Sequence, residues 1–161
     1  MNMRKKLLSL VMAIATLIAV ILALVTLIPK EKYTVPFEVD SVKTIDIYLF
    51  SESIENGRKI ITERKSIASL LAMIDNMGLE VEYHYSEPVV GGHFFGIVFN
   101  LVNGESFSCA YSQTSEFGSG YFSDGNCRKR VSNFDLLDFW NTLDSELLPS
   151  QEGIAFPQLW D

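Results

Sequence analysis

The sequence predicts an α+β fold, in which an N-terminal transmembrane helix precedes one antiparallel sheet of about five strands packed with two helices. Three observations predict this fold. An uncharged apolar run covers residues 7–28, short segments of alternating apolar and polar residues recur between turn signals, and two later segments carry apolar residues at helical spacing. A chain of 161 residues accommodates one such domain with an appendage.

The N-terminal apolar run follows the basic segment MNMRKK and ends before Pro29. With a rise of about 1.5 Å per residue, a helix over residues 7–28 would span the hydrocarbon core of a bilayer. The run is longer than the apolar region of a signal peptide, so residues 1–29 are predicted to form an uncleaved signal anchor, with cleavage as the alternative. Basic residues are more numerous before the run than after it, which predicts a single-pass protein of the cell membrane with an extracytoplasmic domain.

Two further parts follow the predicted anchor. Residues 30–40 are predicted to form a stalk, because Pro36 and the preceding proline disfavour a helix, and residues 41–161 the extracytoplasmic α+β domain. The formal net charge is −7, and all of the acidic residues follow the apolar run. An acidic domain repels nucleic acid at long range, so nucleic acid is not an expected partner.

Alternating residues predict the strands. The first strand covers residues 42–50, and Asn56-Gly57 is a turn signal before a returning strand. LEVEYHY, over residues 79–85, alternates as well. Asn103-Gly104 predicts a two-residue hairpin that pairs Val98 with Cys109, and Asp124-Gly125 predicts another that pairs Phe122 with Cys127.

Two amphipathic segments predict helices with a buried face. In the first, Ser66 is the predicted N-cap and Gly78 the C-terminal cap. In the second, Asn133 is the predicted cap and Pro149 ends the helix. The predicted core residues are Ile67, Leu70, Leu71, Ile74 and Met77 in the first helix, and Leu136, Phe139, Trp140, Leu143 and Leu147 in the second.

Cys109 and Cys127 could form a disulfide outside the cytoplasm. The simplest meander argues against it, because it places the two residues two strands apart. That separation is about 9.6 Å, whereas the Cα atoms of a disulfide lie within about 7 Å. Two buried thiols are therefore favoured over the disulfide.

The motifs of common enzyme classes are absent from the sequence. The chain has no phosphate-binding glycine motif, no G-x-S-x-G and no set of four Cys and His residues at zinc-binding spacing. We therefore predict no catalytic residue, no cofactor and no enzymatic activity.

Residues 82–96, EYHYSEPVVGGHFFG, contain the two histidines of the chain, His84 and His93. If the strands on either side were sheet neighbours, the two imidazoles would lie opposite each other. With Glu82 or Glu87 they would then make a two-His, one-carboxylate metal set, which is the basis of an alternative metal-binding or hydrolytic function centred on residues 82–93. The other interpretations are a recognition loop that binds through His84, Glu87 and His93, and a plain connection.

The C-terminal tail, GIAFPQLWD, carries Ile154, Phe156 and Trp160. These residues either pack back on the domain or bind a partner. In the second case the protein would be a sensor or inhibitor module that acts through Phe156 and Trp160.

Four segments carry a resemblance to other proteins. MRKKLLSLVMAI, ITERKSIASLLAMI, GIVFNLVNGESFSC and NFDLLDFW, in this order, resemble uncharacterised families of small membrane-anchored bacterial envelope domains. The resemblance implies an extracytoplasmic α+β domain and no catalytic residues. The leading expectation is therefore a membrane-tethered binding domain, held in the membrane through residues 7–28, whose partner is an envelope protein or a cell-wall ligand.

Overall fold

The computed structural model describes residues 11–18, 20, 32–80, 92–114, 119–151 and 153–159. The chain divides into two compact units, Met1–Lys30 and Glu31–Asp161. In the first unit, residues 11–18 and 20 are helical and are named α1. The elements of the second unit are a 3₁₀ turn (Val39–Ser41), β1 (Val42–Phe50), β2 (Gly57–Ile61), α2 (Arg64–Asn76), β3 (Gly78–Leu79), β4 (His93–Leu101), β5 (Ser106–Gln113), β6 (Gly120–Ser123), β7 (Arg128–Ser132) and α3 (Leu136–Thr142).

The described residues form one antiparallel sheet in the order β2-β1-β4-β5-β6-β7-β3. β1 and β2 form a hairpin, α2 leads to β3 at the far edge, and β4 to β7 form a meander that returns to β3. The predicted antiparallel sheet is present, but the prediction of about five strands was wrong. The described residues form seven strands, of which β6 has four residues and β3 has two.

The predicted transmembrane helix is contradicted. Within the described residues, no helix combines the length and the apolar character needed to cross a membrane. Of the predicted span 7–28, only residues 11–18 and 20 are described. The finding overturns the signal anchor over residues 1–29 and the single-pass membrane location with an extracytoplasmic domain.

The hydrophobic core lies on one face of the sheet, named the inner face. Its central side chains come from β1 and β4, where Ile45, Ile47 and Leu49 pair with Phe99, Ile97 and Phe95. The predicted apolar positions of α2 are buried against this face, as are Leu136, Phe139 and Trp140 of α3. Both helices therefore cover the same face, because their apolar stripes can leave water only there.

The helix ends differ from the predicted caps. Ser66 lies inside α2, where its hydroxyl donates to Glu63 at 2.7 Å, and Gly78 begins β3 instead of capping the helix. α3 begins after Asp135, whose carboxylate accepts the N–H of Asp138 at 3.0 Å. α3 ends at Thr142, well before Pro149, so Leu143 and Leu147 reach the core from extended chain.

The β4–β5 hairpin is shifted by one residue from the predicted register. Cys109 pairs with Ile97, and Val98 pairs with Ser108. The loop has three residues instead of two, and Gly104 closes it at φ +88°. A three-residue loop with a left-handed glycine is a common alternative to the two-residue turn. Since a slip of one residue exchanges the two faces of a strand, this turn decides which side chains enter the core.

The β6–β7 turn also differs from its prediction. Phe122 pairs with Lys129 instead of Cys127, because the turn spans residues 124–127. The carboxylate of Asp124 accepts the N–H groups of Asn126 at 2.9 Å and Cys127 at 2.6 Å, which stabilises this turn.

The two cysteines are thiols in the structure. Cys109 lies in β5, which pairs with β6, and Cys127 lies in the β6–β7 turn, where its carbonyl accepts the N–H of Asp124. β6 therefore lies between the strand that carries Cys109 and β7, which begins directly after Cys127. Burial raises the pKa of the Cys109 thiol, and the nearby charge of Asp124 raises it further.

Candidate functional site

The face of the sheet opposite the helices, named the outer face, carries a second cluster of aromatic side chains. Tyr48 and Phe50 of β1 lie on it, and they pair with Gly96 and Phe94 of β4. The Tyr48 side chain is only 1% exposed, although it does not belong to the core of the inner face. Another part of the domain must therefore cover Tyr48.

Phe156 of the C-terminal tail covers Tyr48. The centroid of the Phe156 ring lies 5.3 Å from that of Tyr48 and 6.3 Å from those of Phe50 and Phe94. The ring occupies the space above Gly96, where an added Cβ would lie 2.2 Å from one of its carbons. We name this arrangement of Tyr48, Phe50, Phe94 and Gly96 the aromatic notch.

Arg58 of β2 joins the aromatic notch to the chain that leads into the tail. Its guanidinium lies over the Tyr48 ring at 5.9 Å, and Nη1 donates to Gln151 at 2.9 Å. The backbone of Arg58 exchanges two hydrogen bonds with that of Leu148, of 2.8 and 2.9 Å. The chain after α3 therefore first pairs with the edge strand β2, and Phe156 then contacts the outer face.

Each edge strand of the sheet forms one isolated backbone pair with a residue outside the named strands. Leu148 pairs with Arg58 at the β2 edge, and Lys32 pairs with Gly78 at the β3 edge. The edge carbonyl of Ile60 also accepts the hydroxyl of Ser145 at 3.3 Å. These contacts occupy edge groups that a partner strand would otherwise use.

The predicted hairpin between residues 79–85 and β4 does not form in the described part of the chain. β4 is paired with β1 on one side and β5 on the other, while Leu79 pairs with Val131 at the far edge. His84, Glu82, Glu87 and Trp160 lie outside the described residues. Within the described ranges, no three His, Cys, Asp or Glu side chains come close enough to hold a metal ion.

His93 has a hydroxyl partner that the sequence did not indicate. Its Nδ1 lies 2.9 Å from the Oγ of Ser51, at the end of the sheet where β1 ends and β4 begins. The same Oγ accepts the N–H of Ser53 at 3.2 Å and lies 3.2 Å from the Oγ of Ser53, so the Ser51 hydroxyl contacts both the imidazole and a second hydroxyl. The β1–β4 register could have indicated Ser51. Phe50 pairs with Phe94, and Ser51 and His93 are the next residues beyond this pair at the same end of the sheet.

A hydrogen bond between Tyr33 and Asp124 joins the N-terminal part of the domain to the β6–β7 turn. The hydroxyl of Tyr33 donates to Asp124 at 2.6 Å, and its ring packs on Phe122 at 4.7 Å. Burial raises the pKa of Tyr33, and its hydrogen bond to Asp124 raises it further. Burial opposes ionisation of Asp124, but the hydrogen bonds that it accepts outweigh burial and lower its pKa. This group stabilises the turn and offers no reactive site.

Part of the chain is similar to a much longer protein. Over 78 residues it is 30% identical to the outer membrane protein assembly factor BamA of Buchnera aphidicola subsp. Acyrthosiphon pisum (strain APS). The match covers 45% of this chain and 13% of that protein, so the chain spans a small part of the length of its relative. No protein-family model and no solved structure match the sequence.

Proposed function

We propose that this protein is a binding domain of the cell envelope, that it acts without catalysis, and that it binds another protein through the outer face of its sheet. The observation that carries the proposal is the aromatic notch, because Phe156 demonstrates that this face accepts an aromatic side chain from a segment outside the sheet. Aromatic side chains held in a pocket are the usual energetic centre of protein interfaces.

The remaining surfaces favour the outer face as the binding surface. The two helices cover the inner face, and the paired edge positions disfavour the addition of a partner strand. Phe50 is still 37% exposed beside the notch, so a partner can reach aromatic surface without unfolding the domain. The envelope location is supported by the partial likeness to an outer membrane protein assembly factor.

Site-specific photo-crosslinking in cells tests the proposed function. A photoreactive amino acid replaces Phe50 or Val98 on the outer face in the full chain, and Ser69 on the exposed side of α2 serves as the matched control. We expect adducts with envelope proteins from positions 50 and 98 at a yield at least about tenfold above that from position 69, because only buried interface positions bring the probe close to a partner. Equal yields from both faces, or adducts with cytoplasmic proteins alone, would contradict the proposal.

Hydrolysis is the second candidate function, and the contact between Ser51 and His93 favours it. A serine hydroxyl that donates to an imidazole is the minimal arrangement for nucleophilic attack, since the imidazole can take the proton as the bond to the substrate forms. The Oγ to Nδ1 distance of 2.9 Å meets this requirement. The side chain of His93 is half-buried at the end of the sheet, where a substrate can reach it.

A fluorophosphonate probe tests the hydrolytic function, because it labels serines that a neighbouring base activates. If Ser51 is activated, the purified full chain is labelled, Ser51→Ala abolishes the labelling, and His93→Gln reduces its rate by at least about a hundredfold, the lower end of the range for loss of a general base. Ser69→Ala, on the exposed side of α2, is the control and retains labelling. Labelling of Ser51→Ala at the wild-type rate removes this candidate.

A further inference from the structure

We infer that the aromatic notch is a recognition site for an extended peptide with an aromatic side chain, and that residues 153–159 occupy it as a competing ligand within the same chain. The inference deepens the proposed function, on which it rests, by naming the chemical class of the ligand and a means of regulation. Three properties of the site carry it.

The first property is the shape of the notch. Gly96 lies in the middle of β4, where a side chain would normally fill the space above the strand. An added Cβ would lie within 2.6 Å of three carbons of the Phe156 ring, so the missing side chain creates the space for the ring. A glycine in a strand interior marks such a close approach. Tyr48, Phe50 and Phe94 form the walls, and planar aromatic rings pack well against them at these distances.

The second property is that residues 153–159 are held through side chains and not through strand pairing. In the described parts of the tail, the backbone hydrogen bonds to the sheet end at Leu148, and residues 153–159 belong to no strand. Phe156 and Ile154 remain half-buried, Leu159 is buried at 3% exposure, and Gly153, at φ +82°, makes the turn that precedes them. The ring of Phe156 can therefore leave the notch without breaking a ladder of backbone hydrogen bonds.

The third property is the short segment of chain that connects Leu148 at the β2 edge to Phe156. Leu148 is fixed at the β2 edge, only eight residues before Phe156, so the tail stays close to the notch when its ring is released. A short flexible tether gives an effective concentration in the millimolar range. A partner peptide must then compete with the tail. Its apparent Kd equals the Kd for the open notch divided by the fraction of molecules in which the notch is open.

A peptide-binding titration with the full chain tests the inference. The probe is a fluorescent synthetic peptide of residues 153–159, GIAFPQL, and its counterpart with alanine in place of phenylalanine is the negative control. In Phe156→Ala the notch is open, so we expect the peptide to bind at least about tenfold more tightly than to the wild type, as for an open state populated at up to about 10%.

Substitutions of the notch in the Phe156→Ala background locate the bound peptide. Gly96→Ala fills the space for the ring and should abolish binding, while Phe50→Ala, at an exposed position, should weaken it several-fold without impairing folding. Val102→Ala, in the exposed β4–β5 turn, is the matched control and should bind as the parent does. Equal affinity of the wild type and Phe156→Ala overturns the inference, as does binding that Gly96→Ala and Phe50→Ala leave unchanged.

The two proposals fail independently. If the outer face crosslinks to envelope proteins but the peptide does not bind, the proposed function stands and the notch is not its site. If the peptide binds but the crosslinks are absent, the notch is a peptide site and the envelope function is wrong.

Discussion

Replacing Phe95 with alanine should lower the free energy of unfolding by about 3–5 kcal/mol, the range for a buried phenylalanine. Phe95 is fully buried in the centre of the inner face, where its ring stacks on Tyr111 at 6.3 Å and meets the edge of Trp140 at 6.5 Å. It therefore connects the sheet to α3, and the cavity left by alanine would be surrounded by the sheet and the helix. The loss is large for a domain whose total stability is about 5–15 kcal/mol.

Phe94→Ala is the matched control for this prediction, since it removes the same side chain one position earlier. Phe94 lies on the outer face, half-buried, and contacts Phe50 and Phe156. Its removal should cost less than about 2 kcal/mol, because part of the ring is already in water. Urea denaturation followed by circular dichroism measures both variants. A loss for Phe94→Ala as large as that for Phe95→Ala would mean that the two faces of the sheet are wrongly assigned.

The free energy of unfolding should fall steeply as the pH rises above about 9. Burial raises the pKa of Cys109, Tyr33 and Tyr111 in the folded protein above the unfolded values, and charged neighbours add to the effect. For a raised pKa, the contribution to stability is complete below the unfolded pKa and is lost as the pH rises toward the folded pKa. Each such group then reduces stability by about 1.4 kcal/mol per pH unit, for Cys109 from about pH 9 and for the tyrosines from about pH 10.

Tyr111→Phe separates this effect from general alkaline damage. Among the described residues, the Tyr111 hydroxyl is buried and has no hydrogen-bond partner, so the substitution removes a titrating group without breaking a bond. Urea denaturation at intervals from pH 7 to 11 should give a shallower decline above pH 10 for the variant than for the wild type. At pH 7 the variant should be at least as stable, because an unsatisfied buried hydroxyl is costly. An unchanged decline would contradict the assignment of Tyr111 to a buried, neutral state.

The buried faces of α2 and α3 could be predicted from the sequence because their signal is repeated. Ile67, Leu70, Leu71 and Ile74 recur at helical spacing, and all four are buried in α2. One misplaced residue does not destroy such a pattern. The strand alternation of β1 at Ile45, Ile47 and Leu49 has the same redundancy.

The hairpin registers could not be predicted because single turns decide them. Asn103-Gly104 is compatible with a two-residue and a three-residue loop, and the choice between the two depends on small local energies. At the β6–β7 turn, Asp124 also accepts a hydrogen bond from Tyr33, which is 91 positions away in sequence. Such contacts are created by the fold and leave no local pattern.

The candidate site was only partly predictable for the same reason. The sequence predicted that Phe156 either packs back on the domain or binds a partner. No pattern in the tail indicated where on the sheet the Phe156 ring would lie. The signal that could have located the notch is Gly96, a glycine inside an otherwise apolar strand. His93 contacts Ser51, a residue that no local pattern of the sequence connects to it.

The most direct test of the account is the ratio of two dissociation constants for the peptide GIAFPQL, measured with the wild-type chain and with Phe156→Ala. The account predicts that the wild-type Kd is larger by at least about tenfold, because the aromatic notch is occupied by the chain's own Phe156 in most molecules. A ratio of one would show that Phe156 does not compete for the peptide site, no binding to Phe156→Ala would show that the outer face does not recognise an aromatic peptide, and either result would contradict the account.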